Sequence, residues 1–335
     1  MKLSISHLIT DFFSIYLVNE AGLSDNTLKS YRDTFILYFK YLDESDICKP
    51  KKLNISAFTF ENINSFLDWI ETERHCSIST RNQRLAAMKA FSNYVIRRMP
   101  ENCDDCQRIL TIRVKKAPKA VVDYLSKDDI TSLMKQPIES TKDGIRDLAI
   151  LSLLYETGCR VQELIDMKLG DISFRTPNTI KLTGKGSKSR IVPISINVAA
   201  IIQAYTFRNE ISHPEQMLFV NRSGRKLTRS GISYILNKYM QMASKEHQDI
   251  FRRSIHPHVL RHSKAMHLLE NGVNLIYIRD FLGHSSVTTT EIYARCNPEL
   301  KRKYIEQSAS LIGEAVEPYS EAEKENLLIW LKNNI

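Results

Sequence analysis

Residues 157–164 read Thr157-Gly158-Cys159-Arg160-Val161-Gln162-Glu163-Leu164. Upstream, residues 145–156 form an apolar run at helical spacing, which Gly158 stops. Arg160 therefore falls in the break between that helix and the start of the next. Downstream, residues 179–194 alternate like two strands around Gly184-Lys185-Gly186-Ser187-Lys188, a glycine-bearing hairpin with Lys185 at its tip. Helical patterns return over residues 230–244, 258–270 and 275–282. A small antiparallel sheet set among helices makes this half α+β.

The first hundred residues contain only helical patterns. Leu8, Ile9, Phe12, Phe13 and Tyr16 recur at helical spacing up to Gly22. Leu28, Tyr31, Phe35, Tyr38, Phe39 and Leu42 mark a second helix, with Ser24 or Asp25 as its cap. Residues 61–72 and 79–97 supply two more, and four amphipathic helices with short loops form a bundle. From Arg74 to Lys116 there are ten Lys and Arg against three acids. That stretch ends in the proline-broken Arg113-Val-Lys115-Lys116-Ala-Pro118-Lys119, the expected boundary. The expected division is a helical domain over 1–118, an α+β domain over 119–312 and a tail over 313–335. In the tail, Ser320-Glu-Ala-Glu323 reads as a capping box before Leu327, Leu328, Trp330 and Leu331.

Composition limits the possibilities. The chain has 335 residues, 47 Lys and Arg against 38 Asp and Glu, and a net charge of +9. A surplus of this kind points to a polyanionic partner and says nothing of fold. The basic excess is shared, with 17 cations against 14 acids up to residue 118 and 30 against 24 beyond it. No run of about 18 apolar residues exists, so no membrane span is expected. The first twenty residues read as an amphipathic helix rather than a signal peptide, and six cysteines are too few for a disulfide framework. Both fit a cytoplasmic protein.

Two further segments carry chemistry. His258-Val-Leu-Arg261-His262 sets His258 and Arg261 on one helical face, and Leu282-Gly283-His284 is followed nine residues on by Tyr293. Singly, each piece has an ordinary reading as a solvated turn, a structural histidine or a core aromatic. In the order Arg160, Lys185, His258-x-x-Arg261, Leu-Gly-His284, Tyr293, they resemble the tyrosine recombinase family, DNA strand-exchange enzymes that include phage integrases and the Xer recombinases. The resemblance spans residues 124–300 and extends more weakly to Thr27-Leu-Lys-Ser-Tyr31 and Thr80-Arg-Asn-Gln-Arg84. Arg146-Asp147 and Lys188-x-Arg190-x-Val192-Pro193 add to it, and residues 107–124 look similar to integrases of bacterial transposons.

The resemblance implies an all-α core-binding domain of SAM-like fold and an α+β catalytic domain of the DNA breaking-rejoining fold. Together they would clamp a duplex carrying specific core sites. Tyr293 would attack a phosphodiester to give a 3′-phosphotyrosine, with Lys185 protonating the leaving 5′-oxygen. Arg160 and Arg261 would grip the phosphate, since a planar guanidinium binds two oxygens and stays charged. His258 and His284 would add donors, and Glu163 would orient a catalytic side chain or merely pair on the surface. Neither cofactor, ATP nor metal is needed. Lys29, Arg32, Arg81, Arg84, Lys188, Arg190 and Arg229 are the expected DNA contacts, mostly to phosphate. Four protomers, or a hetero-assembly with a sister recombinase, would pass through a Holliday junction, with the tail docking in cis or in trans. Such an enzyme would be cytoplasmic and nucleoid-associated, serving integration or excision of a mobile element.

Other readings share some of these residues. An Xer-like resolution of replicon dimers uses the same chemistry, as does a type IB topoisomerase, which relaxes DNA without joining two sites. A catalytically idle DNA-binding regulator would not need the six residues intact. His258 and His262 have the spacing of a helical zinc pair, but no Glu follows the first, and Arg261 between them would repel a cation. Cys103-Asp-Asp-Cys106, with His75-Cys76 upstream, reads as ordinary thiols rather than a zinc site.

Overall fold

The computed structural model describes residues 5–49, 54–100, 103–117, 123–184, 188–246, 256–284, 290–291, 293, 302, 326, 329 and 332. Lys185 and nearly all of the tail from 313 lie outside these residues. The chain divides into two compact units, Met1–Ala120 and Val121–Ile335.

In the first unit, α1 (Ile5–Asp11) runs on as a π-helical segment (Phe12–Glu20). It is followed by α2 (Asp25–Glu44), α3 (Phe60–Thr72), α4 (Ile78–Arg98) and α5 (Asp104–Thr111). The hydroxyls of Thr59 and Ser77 accept backbone N–H groups at the starts of α3 and α4, removing orphan donors there. Aromatic side chains fill the centre. Phe91 meets Phe12, Phe35 and Phe58 edge-on, with ring centroids 5.1, 5.2 and 4.9 Å apart. Edge-on contact suits the ring quadrupoles and adds to the benefit of area burial. The buried Tyr38 hydroxyl donates to Ala57 O at 2.6 Å.

The basic stretch after α5 is not a free tether as far as residue 115. Asn82 holds Lys115 by two hydrogen bonds, one to its carbonyl at 2.8 Å and one from its amide at 3.1 Å. Arg81 Nη1 donates to Arg113 O at 3.1 Å, and Lys89 Nζ to Leu110 O at 2.7 Å. The cations of α4 therefore satisfy carbonyls in the last turn of α5 and in the chain leaving it.

The second unit opens with α6 (Lys127–Met134), started by a capping box in which Ser126 and Asp129 exchange hydrogen bonds. Next, α7 (Lys142–Thr157) buries most of its surface, and Gly158 ends it in the left-handed conformation at φ +55°. Added as a Cβ there, an atom would sit 2.8 Å from Leu282 Cδ2, so backbone and packing both call for glycine. α8 (Val161–Ile165) follows directly. Strands β1 (Ile172–Ser173), β2 (Thr179–Thr183) and β3 (Ser189–Pro193) form an antiparallel sheet in that order. Ile180 pairs with Val192 and Leu182 with Arg190; Ile180, Leu182 and Val192 are buried, as period-two alternation requires. Among the described residues, the helices α9 (Ile196–Arg208), α10 (Arg229–Glu246), α11 (His258–Glu270) and α12 (Leu275–Leu282) follow.

Asp147, one turn into α7, is buried and accepts the Tyr239 hydroxyl at 2.9 Å and the Arg146 guanidinium at 2.8 Å. This ties α7 to α10. Among the described residues no helix is long and apolar enough to cross a membrane.

Candidate active site

Five of the six expected catalytic residues converge where α7, α11 and α12 end or begin. Gly158 turns the chain so that Arg160 stands at the start of α8, and its backbone N–H donates to Glu163 Oε2 at 2.8 Å. Arg160 Nη1 reaches Glu163 Oε1 at 2.9 Å. Glu163 is not a surface pair: it is buried, and Arg190 grips both its oxygens at 2.9 Å from β3. Burial alone would raise the Glu163 carboxyl, but the Arg190 hydrogen bonds, the Arg160 amide, the Arg190 charge and the Arg160 side-chain hydrogen bond bring it down to about 2.

Three arginines meet the last carbonyls of α12. Arg190 Nε donates to Phe281 O at 2.9 Å, Arg261 Nη2 to Leu282 O at 2.8 Å and Arg160 Nη2 to Gly283 O at 3.0 Å. A helix carboxyl end is rich in unpaired carbonyls and partial negative charge, so it accepts cations readily. Arg261 also donates to Gly158 O, across from the end of α7. It is only 3% exposed, and burial together with Arg160 and Arg190 lowers its pKa to about 10, still charged at neutral pH.

The histidines are crowded by these cations. His284 directly follows Gly283, and its Nδ1 lies 3.0 Å from the Thr290 hydroxyl. Burial, then Arg261 and Arg160, lower it to about 4. His258, at the start of α11, is lowered by desolvation and then by Arg261 and Arg160. Tyr293 is 1% exposed, packed among Ala265, Met266, Leu269, Ile278 and Leu282. Its hydroxyl sits 2.9 Å from Nδ1 of His262. From the sequence, His262 reads only as half of a metal-spaced pair with His258. Its position next to Arg261 was the available signal, but its partner lies 31 residues away.

Lys185 falls outside the described residues, but both ends of its turn are placed. The Gly184 amide donates to Lys188 O at 2.9 Å. A Cβ on Gly184 would come within 3.0 Å of Glu163 Oε1 and 3.7 Å of Arg160 Nη1, so the hairpin turn starts against the Arg160–Glu163 pair. Among the described residues, no group of three or more His, Cys, Asp or Glu side chains could hold a metal ion.

Residues 123–299 match the family model described as "Phage integrase family", and residues 10–99 match "Phage integrase, N-terminal SAM-like domain". The chain belongs to the phage integrase family. It is a tyrosine recombinase, a site-specific DNA recombinase. A "Putative integrase/recombinase y4rC" of Sinorhizobium fredii is 32% identical over 93% of this chain and 94% of its own length. A "Tyrosine recombinase XerD" of Oceanobacillus iheyensis is 33% identical over 86% of this chain and 93% of its own. Among solved structures, the Tn1549 transposon integrase in complex with transposon right end DNA matches with a TM-score of 0.69 at 17% identity. It covers 90% of this chain and 99% of that one, a likeness of fold.

The expected DNA contacts of this recombinase are placed unevenly. Lys29, Lys188 and Arg229 are exposed, although Arg229 Nε also donates to Gln162 at 3.1 Å. Arg32 is exposed but pairs with Asp33 at 2.8 Å. Two expectations need correction. Arg81 is 3% exposed and spent on Arg113 O, so its side chain offers no surface to a phosphate. Arg190 is committed to Glu163 and Phe281 O, which makes it a support for the site rather than an outer contact. Arg84 is half-buried, with Nη1 on Ser30 O and the Thr34 hydroxyl at 3.1 and 3.0 Å.

Glu163 also sets a pH dependence in the recombinase. Its folded pKa lies below the ordinary value of 4.5, so its stabilisation is fully present above about 4.5 and is lost as pH falls through about 2. Urea unfolding at neutral pH should find Glu163→Gln about 3 kcal/mol less stable than the unaltered protein. That gap should close as both are acidified across this window. A gap independent of pH would mean that the ionised carboxylate is not what Arg190 needs.

Proposed function

We propose that the chain breaks and rejoins duplex DNA at specific core sites through a 3′-phosphotyrosine on Tyr293, without metal or ATP, to integrate or excise a mobile element. The observation that carries this reading is the grouping of Arg160, Arg261, His258 and His284 beside the end of α12, with both arginines fixed by backbone carbonyls, next to the helix whose His262 meets the buried Tyr293 hydroxyl. Charge grows on the non-bridging oxygens of a phosphodiester under attack, and fixed donors stabilise it without having to reorganise. Arg160 and Arg261 supply the charge, while His258 and His284 supply neutral N–H donors. Lys185, on the turn that begins against Arg160, protonates the departing 5′-oxygen. The phosphotyrosine keeps the ester bond energy, so a 5′-hydroxyl of another strand can displace the tyrosine and reseal the backbone.

The partner is double-stranded DNA. Exchange between two sites calls for four active sites, met by four copies of this chain or by copies paired with a sister recombinase, through a Holliday junction. The helical unit up to about residue 118 binds the core site, the unit to about 312 carries the chemistry, and the tail from 313 links neighbouring protomers or folds back on its own. Lys29, Lys188 and Arg229 are the proposed phosphate contacts on the surface.

A second reading is favoured by the 33% identity to an XerD recombinase: the same strand transfer applied to resolving replicon dimers. One experiment addresses both. A suicide substrate, nicked so that the strand 3′ to the cleavage point diffuses away, should trap the protein on DNA, with the bond mapped to Tyr293. Trapping on fragmented genomic DNA, followed by sequencing, then identifies the site. Ends of a mobile element support the first use, a single replicon locus the second. No covalent adduct at Tyr293 would overturn the chemistry itself.

A further inference from the structure

The roles assigned above leave His262 unused. It follows Arg261 on α11, its Nδ1 is 2.9 Å from the Tyr293 hydroxyl, and the two rings lie with centroids 5.7 Å apart. We propose that His262 is the proton acceptor for Tyr293, taking the phenolic proton on Nδ1 as the tyrosine oxygen attacks phosphorus and returning it when the strand is resealed. This rests on the reading of Tyr293 as nucleophile.

A phenol is a poor nucleophile until its proton has somewhere to go. To accept that proton, an imidazole must be neutral with its hydrogen on Nε2, since an imidazolium has no lone pair to offer. Burial, then His258 and Arg261 on the same helix, lower His262 to about 4, so its lone pair is free at neutral pH. Among the described residues, the other charged or titratable groups facing it are Tyr293 and His284, which follow α12. His284 has its Nδ1 on the Thr290 hydroxyl.

A phosphodiester entering between Arg160 and Arg261 brings a negative charge that offsets the field of the cations around His262. Its proton affinity therefore rises when the phenol must lose its proton. The step balances without a co-reactant. The Tyr293 O–H bond breaks toward Nδ1, the P–O(Tyr293) bond forms, the P–O5′ bond breaks, and the 5′-oxygen takes the proton of Lys185. Rejoining runs in reverse: the 5′-hydroxyl gives its proton to Lys185, and the His262 imidazolium reprotonates the departing phenolate.

The test is single-turnover adduct formation on the suicide substrate, with the full-length chain. His262→Gln and His262→Ala should bind the DNA as the unaltered protein does and form the adduct about 10²- to 10⁴-fold more slowly, the usual range for losing a positioned base. Their rates should climb with pH from about 7 to about 9, as solvent hydroxide takes over, while that of the unaltered protein stays flatter. Installing a more acidic fluorinated tyrosine at position 293 should restore much of the lost rate in the His262 variants and little in the unaltered protein. A merely structural histidine would show neither the pH slope nor the rescue. Adduct formation within threefold of the unaltered rate, a faster rate, or a loss that the fluorinated tyrosine leaves untouched would each overturn the proposal. Those results leave the nucleophile standing; an unaltered chain that forms no adduct at Tyr293 overturns both.

Discussion

With Phe at position 293, the protein is expected to bind its DNA site with unchanged affinity and to leave every strand intact. The substitution removes one oxygen from a side chain that is 1% exposed and keeps the ring that packs on Met266, Ile278 and Leu282. Its structural cost is the loss of the hydrogen bond to His262, about 1 kcal/mol in unfolding free energy. Its chemical cost is the loss of the oxygen proposed to form the ester to the 3′-phosphate. Adduct formation should fall by about 10⁴-fold or more, the scale on which deleting a nucleophile acts. Gel-shift binding and adduct trapping on one DNA fragment separate the two effects. Residual trapping of the Phe variant above about a thousandth of the unaltered level would place the nucleophile elsewhere.

The second large effect is on folding. Glu163→Ala deletes the carboxylate that answers the Arg190 guanidinium with two hydrogen bonds and the Arg160 side chain and amide with one each. Arg190 is mostly buried, so it would be left charged, desolvated and half-satisfied. Removing one partner of a buried pair in this way costs about 3–5 kcal/mol, and denaturant unfolding should show it. The remedy tests the cause. Replacing Arg190 with Met as well should recover part of the stability, because it removes the stranded charge, yet it should not recover strand cleavage. Equal stability of Glu163→Ala and the unaltered protein would show that water reaches Arg190 and that the network is ornamental.

The sequence made the main lines of both units readable. The helices around Phe35, Phe66 and Phe91 have strong periodic patterns, and the hairpin around Lys185 has clean alternation flanking glycines. What escaped was short or masked by composition. Residues 196–208 carry Ile, Val, Ala and Tyr on so much of their surface that no single apolar stripe announces α9. Strand β1 is two residues long and exists because β2 offers it partners. At the site, residue types and order pointed to Arg160, His258, Arg261, His284 and Tyr293, because phosphate chemistry limits which side chains can serve. Supporting residues are harder to read for one physical reason: an arginine looks exposed in a sequence until its acceptor is known. Arg81 found Arg113 O, 32 residues on, and Arg190 found Glu163, 27 residues back. Such pairings are created by folding and have no local signature. His262 belongs with them.

The three guanidiniums at the end of α12 have a consequence for how the site meets its substrate. Phe281 O, Leu282 O and Gly283 O act together as a counter-ion built from main chain, which lets the cations sit close to one another while no DNA is present. The protein therefore meets the work of gathering like charges during folding rather than at the encounter with a phosphate. Because the three cations share one backbone anchor, they are also geared to it. Any shift of the end of α12 therefore moves an acceptor of all three together.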